Sequence, residues 1–138
     1  MLRRILVPID GTDYSWRALE YACALVSLSG GSLVVMTVSS GHHTQPVVAA
    51  DGDCLYAQIG DEVLDSAHAM MLAKNIDCTY LLENGGNIAE NILQTVQEEK
   101  CDGIVLGSRG MGVLEGLFRS SVSQVVVEGA TVPVTIVK

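Results

Sequence analysis

Short apolar runs alternate with segments of helical period along the whole chain, and that alternation limits the possible folds more than any other feature of the sequence. The runs fall at 5–9, 33–38, 78–83, 103–106 and 132–137. Between them apolar residues return every third or fourth position. Leu19, Ala22, Cys23 and Val26 do so in a helix from about residue 15 to 28. Ile59, Val63, Ala67 and Met70 mark a second helix from about 55 to 74, and Ile88, Ile92 and Val96 a third that ends near 100. Asn87, with Glu90 three residues on, reads as the cap of that third helix. The run 33–38 is apolar except for Thr37, as expected of a strand covered on both faces. Five strands alternating with helices predict a doubly wound α/β fold, its parallel strands joined by right-handed crossovers and its helices on both faces.

Size and charge narrow the function. With 138 residues the chain is long enough for one good core, so 1–138 is read as a single domain. Mean hydropathy is high, +0.36, yet no apolar run approaches the ~18 residues of a membrane span. Arg3-Arg4 followed by apolar residues imitates a signal peptide, but Pro8, Asp10 and Asp13 interrupt the run. The expectation is therefore a cytoplasmic protein with no membrane partner. A net charge of −8 argues against nucleic acid, whose binding needs a basic stripe to displace counterions. Cys23, Cys54, Cys78 and Cys101 show no CxxC spacing, and Cys23 and Cys78 read as packing residues. The stretch 39–52 loses all periodicity and is read as a long loop; its His42 and His43 lack partners at ligand spacing, so no metal site is assigned. Met70-Met71 reads as core filling, and His68 as facing solvent or a polar neighbour.

The chemistry concentrates at two strand ends. After the fourth strand, whose last apolar residue is Leu106, come Gly107, Ser108, Arg109 and Gly110, nine further residues, and then Ser120-Ser121 at the predicted start of the last helix. Val122, Val125 and Val126 share one face of that helix. Unpaired N–H groups and the positive end of the macrodipole meet at such a start, and glycines let backbone approach a phosphate. Ser121 and Gln124 also make a capping box, which satisfies the helix start with or without a ligand. At the end of the first strand stands Asp10, either a turn-forming carboxylate that accepts from Thr12 or Asp13 or a ligand contact. No GxxxxGK[ST] sequence and no positioned general base is visible, so no catalytic residue is assigned.

Gly107 to Lys138, with the segment Ile5-Leu6-Val7-Pro8-Ile9-Asp10-Gly11-Thr12, resembles the universal stress protein family over essentially the whole chain. In its nucleotide-binding branch the loop reads Gly, two residues, Gly, nine residues, Gly, then Ser or Thr. Gly107, Gly110 and Ser121 match, whereas Ser120 stands in the position of the third glycine. If that position needs left-handed backbone, a serine costs on the order of 1 kcal/mol; if not, its hydroxyl is one more donor.

The resemblance implies strand order 3-2-1-4-5, a flavodoxin-like arrangement in which strands one and four flank a ligand crevice. It also implies ATP, or AMP or ADP, held with Mg. Pro8, Ile9 and Asp10 would meet the nucleoside and the Val38 backbone the adenine. Leu106, Gly107 and Gly110 would present backbone to ribose and phosphates, and Ser120, Ser121, Val122 and Ser123 would meet the phosphates. Arg109 reads equally as a phosphate contact and as a solvated arginine. Relatives dimerise through the last strand, so a homodimer is expected. The function implied is a nucleotide-responsive regulatory protein with at most slow ATP hydrolysis and a protein partner the sequence does not name. The alternative is a dimeric stress or interaction protein that binds no nucleotide, and a nucleotide-dependent enzyme is disfavoured because the chain leaves no room for a substrate domain.

Overall fold

The computed structural model describes residues 2–39, 47–50, 62–84, 86–108 and 119–138. In chain order the elements are β1 (Arg4–Pro8), α1 (Asp13–Ser29), β2 (Ser32–Ser39), β3 (Val47–Ala50), α2 (Glu62–Lys74), β4 (Cys78–Asn84), α3 (Ile88–Glu98), β5 (Gly103–Gly107), α4 (Arg119–Gly129) and β6 (Val134–Val137). They build one sheet in the order β3-β4-β2-β1-β5-β6. The five predicted strands are β1, β2, β4, β5 and β6; all pair in parallel, and their order is the 3-2-1-4-5 that the resemblance implies.

To this parallel sheet β3 adds an antiparallel strand at the outer edge, with Val47 opposite Leu82 and Ala50 opposite Thr79. It lies in the stretch read from sequence as loop. Four residues, two of them alanine, carry no readable period of two, and only the edge of β4 makes them a strand.

Alternation along the strands divides the core. Ile5 and Val7 of β1, with Leu33 and Val35 of β2, face α1 and α2, where Leu19, Ala22, Val26, Leu64, Ala67 and Met71 are buried. Leu6, Val34 and Met36 face the other way, toward Ile92 and Val96 of α3 and Val126 of α4. Both faces of the central strands are therefore covered, which is why their sequence reads as unbroken apolar runs. Each such side chain, fully buried, contributes about 1.5–3 kcal/mol. Cys23, Cys78 and Cys101 are buried among them; Cys54 lies outside the described residues.

Helix ends follow local chemistry. Thr12, in extended backbone, caps α1 by accepting from the Ser15 N–H at 3.3 Å, so the helix begins at Asp13, ahead of the predicted Ser15. Asn87 caps α3 as expected, accepting from the Glu90 N–H at 3.0 Å. The predicted start of α2 near residue 55 lies outside the described residues. At the amino end of the sheet the Asp102 carboxylate accepts from the backbone N–H groups of Arg3 and Arg4, and the Arg4 guanidinium reaches the Glu99 carboxylate at 2.7 Å. These bonds tie β1 to the α3–β5 connection at one end and leave the carboxyl ends open.

Candidate functional site: the crevice between β1 and β5

β1 and β5 lie side by side, but their shared register covers only Ile5↔Gly103 and Leu6↔Ile104, while the strands run on to Pro8 and Gly107. The sequence explains the split. Successive backbone N–H groups of a strand point to opposite sides, and that of Ile9 points to β2, donating to the Met36 carbonyl at 2.8 Å. The N–H that Pro8 lacks would have faced β5. After β1 the chain enters α1 on one face; after β5 it reaches α4 on the other. Strands that part in this way open a crevice at their carboxyl ends, the place where doubly wound folds bind ligands.

Asp10 stands on the β1 side of the crevice, half-buried. Its Oδ1 accepts both the Thr12 N–H at 2.9 Å and the Thr12 hydroxyl at 2.6 Å. The Asp10 N–H donates to the buried Ser15 hydroxyl at 3.3 Å, and that hydroxyl donates to the Thr12 carbonyl at 2.9 Å. Asp10 is thus the turn-forming carboxylate of one of its two readings, with Thr12 as the partner. Between them Gly11 has φ +87°, and a Cβ there would lie 3.2 Å from Cγ2 of Val63, so the start of α2 rests against this turn.

On the other side, Gly107 ends β5. The Ser108 N–H is taken by the Val137 carbonyl of β6 at 2.8 Å. Arg109 and Gly110 lie outside the described residues. Helix α4 begins at Arg119, two residues ahead of the start read from sequence, so Ser120 and Ser121 are its second and third residues. The expected capping box at Ser121 is therefore corrected: Ser121 lies inside the helix. Val122 and Ser123 follow, half-buried, with Val122 packed on the α3–α4 side of the core.

Of the remaining candidates three have buried side chains and one is half-buried. Ile9 is fully buried in the α1–α2 half of the core and Leu106 in the α3–α4 half, so neither side chain is presented to a ligand. Pro8 is buried as well, and Val38 is half-buried at the carboxyl end of β2. Sequence reading named Thr12 as a donor to Asp10 but missed its capping of α1 and the buried Ser15 hydroxyl, although a threonine two residues after an aspartate and three before a serine is a legible turn-and-cap signal.

Electrostatics separates the helix starts. The start of α1 is capped by Thr12 and carries Asp13; that of α3 is capped by Asn87 and carries Glu90. Only α4 among these three has no acidic residue in its first turn. An anion is repelled less there than at the other two.

Nucleophilic chemistry has no support among the described residues. Burial pushes the thiols up, to about 11 for Cys23 and to about 12 for Cys78 and Cys101, so no thiolate is available near neutral pH. No three His, Cys, Asp or Glu side chains converge on a metal position among the described residues; His42 and His43 fall outside them. His68 does not face solvent as one reading expected. It stands edge-on to the Tyr80 ring, centroids 5.6 Å apart, beside a cavity of about 170 Å³ at the carboxyl end of α2. No helix among the described residues is long and apolar enough to cross a membrane.

Known proteins resemble the chain throughout its length. The family model described as "Universal stress protein family" matches residues 1–138. A protein of Thermus aquaticus, "Universal stress protein in QAH/OAS sulfhydrylase 3'region", is 33% identical over 142 residues, covering 100% of both chains. "Universal stress protein YxiE" of Bacillus subtilis is 31% identical over 149 residues, again covering 100% of both. Among solved structures, a universal stress protein of Archaeoglobus fulgidus in complex with dAMP superposes with TM-score 0.69 at 23% identity, covering 100% of each chain. Another universal stress protein, in complex with cAMP, gives 0.70 at 23% identity over 99% of this chain and 96% of its own.

Proposed function

The chain belongs to the universal stress protein family, and from that premise we propose that it binds an adenine nucleotide, ATP with Mg foremost, in the crevice between β1 and β5. The observation that carries this reading is the parting of β1 and β5 at the fold's switch point, with Asp10 on one side and the uncapped-by-acid start of α4 on the other. The nucleoside lies toward Asp10 and the backbone of Pro8, Ile9 and Val38. The phosphates lie toward α4, with Arg109 and Gly110 on the way.

Ser120 does not oppose it on backbone grounds. As the second residue of α4 it has a helical backbone, which any L-residue adopts, so a serine there carries no left-handed strain. The two relatives solved with dAMP and with cAMP support an adenine ligand for the fold. Nucleotide occupancy is then read by a partner, and hydrolysis is at most slow because neither a P-loop lysine nor a placed general base accompanies the crevice. Asp13 in the first turn of α1 disfavours an anion there, which leaves the α4 side to the phosphates.

The edge position of β6, with Ile136 39% exposed, supports a homodimer through that strand. It also favours the second reading, a dimeric protein with an empty crevice. Mass spectrometry of small molecules released from freshly purified protein separates the two: adenine nucleotide near one per chain supports the first, and its absence even after purification in excess ATP supports the second.

A further inference from the structure

We propose that Thr12 is a positioning residue for the ligand: it saturates one oxygen of Asp10 and aims the carboxylate, so that Asp10 meets the nucleoside through its other oxygen alone. This rests on the nucleotide reading given above. Each carboxylate oxygen has two lone pairs, and Oδ1 of Asp10 spends both on Thr12, one on the N–H at 2.9 Å and one on the hydroxyl at 2.6 Å. The second distance is that of a charge-assisted O–H···O⁻ bond, among the stronger kinds. Among the described residues Oδ2 takes no hydrogen bond.

Thr12 is itself held. Its Oγ1 accepts from the Ser15 N–H at 3.3 Å while donating to Asp10, so a relay runs from the first turn of α1 through the threonine hydroxyl to the carboxylate. The Ser15 hydroxyl closes the turn from beneath, accepting from the Asp10 N–H and donating to the Thr12 carbonyl. Ser15 is 1% exposed, so this base of the turn is inside the protein. Five bonds within six residues therefore fix a side chain that would otherwise turn freely about two torsions. A ligand that donates to Asp10 finds the acceptor already oriented and loses little to ordering it.

The test uses the full chain and titrates ATP by calorimetry against wild type, Thr12→Val, Thr12→Ser, Thr12→Asn, Asp10→Asn and the Asp10→Asn/Thr12→Val pair. Tripolyphosphate, which lacks the nucleoside, is titrated in parallel. Thr12→Val is expected to weaken ATP by about tenfold, the equivalent of one hydrogen bond, and to leave tripolyphosphate unchanged. Thr12→Ser restores the wild-type affinity. Thr12→Asn, which keeps a side chain able to cap α1 and so secures the fold, weakens ATP as valine does. The double variant binds no worse than Asp10→Asn alone, because Thr12 acts through Asp10. Wild-type affinity in both Thr12→Val and Thr12→Asn, or losses that simply add in the double variant, overturns the role of Thr12 while leaving the nucleotide reading intact. Failure of the wild type itself to bind ATP overturns both.

Discussion

A Cβ placed on Gly107 would stand 2.7 Å from the carbonyl oxygen of Tyr14, so the end of β5 and the first turn of α1 touch backbone to backbone. No flexible side chain can yield there. Gly107→Ala is therefore expected to lower stability by about 1–3 kcal/mol, the usual cost of forcing an extra carbon into packed structure. Urea unfolding of nucleotide-free protein checks it. An unchanged midpoint would mean that this glycine serves a ligand alone.

Two carboxylates should tilt the pH dependence of stability in opposite directions. Burial, and then the nearby Glu98 charge, push Glu83 above the ordinary glutamate value of 4.5. The folded state then holds a proton that the unfolded chain has released, and Glu83 costs stability as pH rises through its folded value. Asp102 is opposite. Burial alone would raise it, but the N–H groups of Arg3 and Arg4 together outweigh that and hold it below its ordinary 3.8, so its contribution is present above that value and lost as pH falls. Glu83→Gln should raise stability at pH 7 and converge on wild type below about pH 4, whereas Asp102→Asn should lower it at pH 7 and converge in stronger acid. Urea midpoints across pH 3 to 8 test both signs.

The fold class was legible because short apolar runs alternate with segments of helical period, and the unbroken runs of β1 and β2 announce burial on both faces. Strand order was not written in the residues; family resemblance supplied it. Only β3 escaped, since its pairing with β4 is a tertiary event for which Val-Val-Ala-Ala gives no local signal. At the site, the turn at Asp10 was readable from Asp-x-Thr. The α4 start was displaced because Ser121 with Gln124 reads as a capping box, whereas the helix already includes Arg119 and Ser120, which carry no start signal of their own. Gly107 shows a different limit. Its glycine reads as room for a phosphate, yet the space is filled by Tyr14, a residue some ninety positions away in the chain.

Assembly through β6 predicts a two-fold dimer at micromolar concentration, measured by sedimentation equilibrium. Ile136→Lys puts a charge on the half-exposed edge and should shift the protein to monomer. A wild type that sediments only as monomer contradicts the proposed interface.

Titration of purified, nucleotide-stripped protein with ATP in the presence of Mg tests the central claim most directly. The crevice between β1 and β5 predicts saturable binding of one nucleotide per chain, weakened by Asp10→Asn. No heat and no saturation at millimolar ATP would contradict it.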